Sequence, residues 1–224
     1  MIAIDGPAAS GKSTTAKLVA ERLGYLHVDT GAMYRAFTLK MLRSGISPDD
    51  RETIARLLES TRVTLRHNEG EMRILLDGED VTEQIRSVEV TRAVSAISSL
   101  REVRRAMVRE QRAMGKNGGI VLEGRDIGTV VFPDADCKFF IIAGIDARAQ
   151  RRLKELRERG LDADLDALKV EIAERDRLDS TRSESPLRKA DGAVEIDTSD
   201  MTIEEQVDVV TGKIQEKLER TKGS

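Results

Sequence analysis

Met1-Ile2-Ala3-Ile4-Asp5-Gly6-Pro7-Ala8-Ala9-Ser10-Gly11-Lys12-Ser13-Thr14 opens the chain, and its reading decides the fold. The apolar run Met1 to Ile4 has the length of a buried strand, and Asp5-Gly6-Pro7 ends it. Beyond the loop, Ala16, Val19, Ala20 and Leu23 recur at helical spacing until Gly24 stops the helix. The order strand, glycine loop, helix is the first unit of an α/β chain. Gly6 to Ser13 fits Gly-x-x-x-x-Gly-Lys-Ser in the place its chemistry requires. Gly6 and Gly11 permit backbone angles that wrap amides around a phosphate. Lys12 adds a cation near β- and γ-phosphates, Ser13 offers a hydroxyl to Mg²⁺, and the helix presents its positive end to the anion. The candidate nucleotide loop is therefore Gly6, Pro7, Ala8, Ala9, Ser10, Gly11, Lys12, Ser13 and Thr14, with ATP or GTP plus magnesium expected. A glycine loop that matches by chance is the bland alternative; the agreement of pattern and context weighs against it.

Outward from this loop, apolar runs alternate with amphipathic stretches. Gly119 to Leu122 and Lys138 to Ala143 are nearly continuous apolar runs, as parallel strands covered on both faces require, and Ala193 to Ile196 is a third. Thr202-Ile203-Glu204-Glu205 is a capping box, and Ile203, Val207, Val210, Ile214 and Leu218 mark one face of the helix after it. Arg62 to Arg66 and Met72 to Leu76 flank an Asn68-Glu69-Gly70 turn, which predicts a β-hairpin inserted in the α/β chain. Helices are expected around Ser87 to Ser98 and Arg101 to Met114, and Gly160 should break two helices within Arg157 to Asp164.

Composition narrows the function classes. The chain has 224 residues, 39% hydrophobic and 34% charged, enough for a sizeable core. A net charge of -3, from 37 Lys+Arg against 40 Asp+Glu, argues against a chain that coats nucleic acid or an anionic membrane. The single cysteine, Cys137, allows neither an internal disulfide nor a zinc set; it reads as a small buried apolar residue in a reducing compartment. No basic region leads a long apolar stretch and no window approaches about 20 apolar residues, so the cytoplasm is the expected location.

The arginines say what kind of nucleotide protein to expect. Asp29-Thr30-Gly31-Ala32-Met33-Tyr34-Arg35 ends a second strand and opens a helix; Glu123-Gly124-Arg125-Asp126 ends another strand. Both stretches belong at the carboxyl edge of a parallel sheet, where ligands bind. Arg175, Asp179 and Arg182 fall at i, i+4 and i+7, and Arg148, Arg151 and Arg152 cluster in the same way on the preceding helix. Any one of them reads equally well as a surface ion pair worth about 0.3–0.5 kcal/mol. Their concentration at strand ends and on one helix face of a chain with a phosphate loop favours phosphoryl transfer to a second anion, where fixed cations must hold the moving charge.

With these motifs in place, the chain resembles the bacterial cytidylate kinases of the nucleoside-monophosphate kinase class. The likeness runs through Ile4-Asp-Gly-Pro7, Asp29 to Arg35, Glu123-Gly-Arg-Asp-Ile-Gly-Thr-Val-Val-Phe-Pro133, and Arg175-Asp176 with Asp179 and Arg182. The resemblance implies a P-loop NTPase fold, three-layer α/β/α with a mostly parallel central sheet, a small β-containing insert and a short lid. It implies one domain over 1–224, with a monophosphate-binding region at 30–115, its hairpin insert at 61–81, and a lid at 157–164. It further implies MgATP as donor, CMP or dCMP as acceptor, and a monomer that binds neither nucleic acid nor membrane. Arg35, Arg125 and Arg182 would hold the acceptor phosphate, and Thr30 would join the acceptor site. Ser95, Arg104 and Asp126 would read the cytosine edge, and Arg175 with Asp179 would reach the sugar. Lys12, Arg125 and Arg182, with Arg148 or Arg151, would stabilise the transferring phosphoryl. Ser13 would bind magnesium directly and Glu123, where the family often has Asp, through water.

Other readings compete. A GTP-dependent switch protein would need a guanine-reading Asn-Lys-x-Asp, and neither Asn68 nor Asn117 begins one. A nucleotide-binding module without catalysis would not need Lys12, Ser13 and the arginine set intact. A kinase for UMP, AMP or another small acceptor is the nearest competitor.

Overall fold

The computed structural model describes residues 1–68 and 71–222. Its elements run, in chain order, β1 (Ile2–Asp5), α1 (Lys12–Leu23), β2 (Leu26–Asp29), α2 (Thr30–Ser44), α3 (Arg51–Glu59), β3 (Val63–Asn68), β4 (Glu71–Leu76) and β5 (Glu79–Asp80). There follow α4 (Val88–Ser99), α5 (Arg101–Met114), β6 (Ile120–Gly124), β7 (Cys137–Ile142), α6 (Ile145–Glu158), α7 (Leu165–Thr181), β8 (Val194–Asp197) and α8 (Ile203–Lys222). A 3₁₀ turn, Gln84–Arg86, precedes α4, and a five-residue π-turn, Ile127–Val131, follows β6. The chain forms two compact units, Met1–His27 with Asn117–Ser224, and Val28–Lys116.

The mostly parallel sheet expected of an α/β chain has the order β2-β6-β1-β7-β8. β1 pairs parallel with both neighbours, Ile2 opposite Val121 and Cys137, and Asp5 opposite Gly124 and Phe140. Ile2, Ile4, Val121, Phe139 and Ile141 form one face with Ala16, Val19 and Ala20 of α1 and Val207, Val210 and Ile214 of α8. Each large side chain buried there contributes roughly 1.5–3 kcal/mol. Cys137 lies in this core, and burial pushes its thiol up.

The capping box of α8 is formed: Glu205 N–H donates to Thr202 Oγ1 at 3.2 Å, and Thr202 N–H donates to Glu205 Oε2 at 2.7 Å. Leu218 departs from the expected face, for it is 45% exposed. Twenty helical residues span about 30 Å, whereas strands of four to six residues span about half that, so the last turns overrun the sheet. Between α6 and α7, Gly160 takes the left-handed φ of 71° that ends the first helix, and Ala149, Leu156, Leu168 and Ile172 pack the pair together.

The second unit is built on α2, whose Met33, Phe37 and Met41 pack with Val94 and Ile97 of α4 and Val103 and Met107 of α5. The expected hairpin is present as antiparallel β3 and β4, Val63 opposite Leu76 through Asn68 opposite Glu71; Glu69 and Gly70 of the expected turn lie outside the described residues. A third strand, β5, pairs with β4 and was not anticipated. Asp77-Gly78 turns the chain into it with φ of 52° and 94°, the positive pair a tight hairpin requires. Ile74 and Leu76 then pack on Ala32 and Ala36 of α2. Among the described residues, no helix is long and apolar enough to cross a membrane.

Candidate active site

The phosphate loop follows directly from β1. A Cβ on Gly6 would stand 2.1 Å from the Ile141 carbonyl oxygen of the neighbouring strand, and at Gly11 (φ 90°) it would stand 2.8 Å from Gln206 Oε1. No side chain fits at the first position, and the second is strained as well as crowded. Gly11 caps α1 without a side-chain hydrogen bond and no acidic residue occupies the first turn, so the helix start offers its N–H groups to an anion. Lys12 is buried and its Nζ donates to the Pro7 carbonyl at 3.0 Å, which folds its stem over the loop.

From β6, on the other side of β1, comes Glu123, only 2% exposed. Ser13 Oγ donates to its Oε2 at 2.5 Å, and His27 Nε2 lies 3.3 Å from its Oε1. A hydroxyl and a carboxylate at this separation are hard oxygen donors suited to magnesium, which keeps most of its shell as water and phosphate. The expected donor pair is thus brought together, with His27 as an unforeseen neighbour. The register of Asp5 with Gly124 also means that Gly6 and Arg125 each follow directly on matching ends of adjacent parallel strands.

Arg125 Nε donates to Asp179 Oδ2 at 2.9 Å, and Arg182 Nη1 stands 3.7 Å from Asp179 Oδ1. Burial works to raise the Asp179 carboxyl, yet Arg125, Arg175 and Arg182 together hold it below the ordinary carboxylate value. Arg182 reaches this cluster by a different route from the expected one. It lies past the end of α7, with φ -62° and ψ 144°, so it does not share a helical face with Arg175. Ser180 and Thr181 turn their hydroxyls back onto the Asp176 and Arg177 carbonyls, and the Leu187 amide takes the Asp179 carbonyl; the helix ends there. Arg182 Nε is fixed by the Ser185 carbonyl at 2.6 Å.

Arg148 and Arg151 of α6 grip the phosphate loop by its carbonyls. Arg148 Nη1 donates to Asp176 Oδ2 at 2.5 Å and to the Ala8 carbonyl at 3.3 Å. Arg151 donates to the Ser10 carbonyl at 3.1 Å, to Thr198 Oγ1 at 3.1 Å and to the Thr198 carbonyl. Arg152 instead pairs with Glu155 on its own helix. Behind the loop, Thr15 Oγ1 donates to Gln206 Oε1 at 2.9 Å and Thr198 Oγ1 to the Ser10 carbonyl at 2.8 Å, a buried brace that the sequence reading missed.

In the Val28–Lys116 unit, Asp29 caps α2. Its Oδ1 accepts from Ala32 N–H at 2.9 Å and its Oδ2 from Arg35 Nη2 at 2.7 Å, with Thr30 buried between them in sequence. Arg104, expected to read the cytosine edge, is 3% exposed. Its Nη1 donates to the Ser98 carbonyl at 3.2 Å, and its guanidinium lies 5.4 Å from the Tyr34 ring centre, a cation–π distance. Ser95 is half-buried on α4.

A family model described as cytidylate kinase matches residues 2–216. The chain belongs to the cytidylate kinase family. It is 50% identical over 217 residues to a cytidylate kinase of Geobacillus sp. (strain WCH70), covering 97% of each chain. It is 46% identical over 224 residues to a cytidylate kinase of Geobacter sulfurreducens, covering all of this chain and 96% of the other. Among solved structures, an uncharacterized protein from Eubacterium ventriosum shares the fold at 15% identity, with a TM-score of 0.51 over 96% of this chain and 97% of that one.

Set beside this cytidylate kinase membership, one buried carboxylate stands outside the expected site residues. Asp5, at the end of β1, accepts from the Ile127 and Gly128 N–H groups at 2.8 Å each. Burial pushes its carboxyl up to about 7 against the pull of those two bonds. An Asp closing an apolar strand just before a glycine loop was the only sequence signal for it.

Proposed function

We propose that the chain transfers the γ-phosphoryl group of MgATP to CMP or dCMP, giving CDP or dCDP and ADP. The observation that carries this reading is the register of Asp5 with Gly124, from whose matching strand ends the phosphate loop at Gly6 and the arginine-bearing segment at Arg125 both leave the sheet. Donor phosphates and an acceptor phosphate are two polyanions, and a cationic cluster next to an anion loop is what their approach demands.

In the step itself, an acceptor phosphate oxygen bonds to the γ-phosphorus while the bond from that phosphorus to the bridging oxygen of ADP breaks. The nucleophile is already an anion near neutral pH, so no side chain need act as base. Gly6 to Thr14, Pro7 excepted because it has no N–H, hold the donor phosphates through backbone N–H groups, and Lys12 leaves the Pro7 carbonyl to meet the β- and γ-phosphates. Ser13, and Glu123 through water, would hold magnesium, which would supply neutralisation of the donor phosphates' charge. Arg35, Arg125 and Arg182 bind the acceptor phosphate, Thr30 lies at the acceptor, and Arg175 with Asp179 meets the sugar. Ser95 and Asp126 accept from the cytosine amino group and Arg104 donates to N3 or O2; uracil reverses the polarity of N3 and of the group at C4. A mismatch of buried polar groups discriminates strongly. Residues 157–164 serve as a lid whose closure brings Arg148 or Arg151 to the phosphates and excludes water. The protein works as a cytoplasmic monomer.

The test is ADP formation from MgATP with CMP, dCMP, UMP, AMP or GMP, each against no acceptor. Turnover confined to CMP and dCMP is expected; ADP release independent of acceptor would mean a plain ATPase. Lys12→Ala should abolish transfer with cooperative unfolding retained, and near-normal turnover in that variant would remove Lys12 from its role.

A further inference from the structure

We propose that Asp5 is a positioning residue for the acceptor-binding segment: its carboxylate caps the π-turn after Asp126 and so fixes Arg125 and Asp126 against the phosphate loop. The proposal rests on the reading of Arg125 and Asp126 as acceptor contacts.

The geometry is that of a cap supplied from a different strand. Within the turn, Val130 and Val131 N–H donate to the Asp126 carbonyl and Phe132 N–H to the Ile127 carbonyl. The first two amides of the turn, Ile127 and Gly128, have no such carbonyl, as at the start of any helix. Asp5 takes both, one on each carboxylate oxygen, at 2.8 Å. Asp126 itself adopts φ -148° and ψ 24°, away from regular helix or strand. Its conformation is pinned on one side by the β6 pairing of Gly124 with Asp5 and on the other by the amides that Asp5 holds.

The anchor cannot easily move. Asp5 is 3% exposed, and the next residue, Gly6, is packed so closely on Ile141 that not even a Cβ fits. On the far side, a Cβ added to Gly128 would meet Ala190 Cβ at 3.2 Å, Lys138 Cδ at 3.2 Å and Asp5 Oδ2 at 3.4 Å. Glycine at this position therefore lets the turn lie close against the carboxylate. Asp5→Asn keeps the volume but offers one acceptor oxygen and sets an NH₂ group against the second N–H. A buried amide left without its acceptor loosens the turn.

The experiment compares wild-type full-length chain with Asp5→Asn in steady-state kinetics, CMP varied at saturating MgATP and MgATP varied at saturating CMP. Amide hydrogen exchange is followed in parallel. The variant should lose on the order of tenfold in kcat/KM for CMP while KM for MgATP stays within about twofold. Its preference for CMP over UMP should fall, and exchange should rise in residues 124–131 but not in 6–14. Unchanged CMP kinetics, or equal losses toward both substrates, would overturn the assignment. Should Asp5→Asn fail to fold, Gly128→Ala crowds the same contact and keeps the carboxylate: the same split in smaller degree is expected, and its absence is equally decisive. If the wild type itself shows no CMP-dependent turnover, the underlying reading fails before any variant is made, and the positioning role falls with it.

Discussion

Asp5 and Asp179 are both buried carboxylates of the Met1–His27 and Asn117–Ser224 unit, and their environments push them in opposite directions. Asp5 faces two neutral N–H donors, and burial raises its carboxyl to about 7. Asp179 is buried too, but three guanidinium groups outweigh the burial and keep it ionised below the ordinary value. Hydrogen-bond donors satisfy a carboxylate's lone pairs without returning the solvation its charge has lost; formal cations do both. The first arrangement suits a group that holds backbone. The second suits a cluster whose surplus positive charge must stay assembled until an anionic substrate arrives.

Breaking the charged arrangement should cost most. Asp179→Ala leaves Arg125, Arg175 and Arg182 facing one another without their carboxylate, and removal of one partner from a buried pair costs roughly 3–5 kcal/mol. Urea unfolding should show that loss, and kcat/KM for CMP should fall on the order of a hundredfold as the cations spread. Asp5→Asn leaves one amide without its acceptor and no uncompensated charge, so its stability cost should be smaller, about 1–3 kcal/mol. The reverse order would show that the arginines do not depend on Asp179.

Titration sharpens the contrast. Because the folded state holds a proton on Asp5 up to about pH 7 while an unfolded Asp releases it near 3.8, the Asp5 contribution is fully present below about pH 3.8. It is lost as pH rises through 7, and a shift of about three units corresponds to at most about 4 kcal/mol. Asp179 has the opposite sign: its contribution is present above the unfolded carboxylate value and lost as pH falls through its lower folded one. Unfolding free energies from pH 4 to 8 should therefore contain a declining component that Asp5→Asn removes. A wild-type curve that Asp5→Asn leaves unaltered would show that Asp5 does not titrate in that window.

What the sequence disclosed follows from how local each feature is. The strand, glycine loop and helix at Ile2 to Leu23 are written in consecutive residues, as are the capping box at Thr202 and the break at Gly160. Cys137 was placed in the core because a single cysteine, with no partner for a disulfide or a metal, behaves as a small apolar residue. Arg182 was misplaced because helical spacing was extended past Thr181, where α7 ends and Arg182 turns to extended backbone. Leu218 was assigned to a buried face because periodicity says nothing of how far a sheet extends. Asp5, Thr198 and Gln206 were missed because their partners are distant in the chain: Asp5 holds Gly128, and Thr15 holds Gln206. Only the fold brings such pairs together, and no spacing rule announces them.

Glu205 separates the two terms that Asp5 combines. Like Asp5, it accepts from a backbone N–H, that of Thr202, but it stands in water. That bond, with the Thr202 hydroxyl, lowers its carboxyl below the ordinary value. The same kind of donor therefore accompanies a raised carboxyl at Asp5 and a lowered one at Glu205; burial is the largest cause of the difference, with the neighbouring Asp126 charge adding to it at Asp5. Thr202→Ala removes the reciprocal half of the capping box and should cost about 1 kcal/mol in unfolding free energy, with CMP kinetics unchanged. The Glu205 carboxyl, followed by NMR, should then titrate closer to the ordinary glutamate value. If it stays as low as before, the residue 202 N–H, which the variant keeps, lowers it unaided, and the contrast with Asp5 is between buried and exposed carboxyls that both accept from backbone.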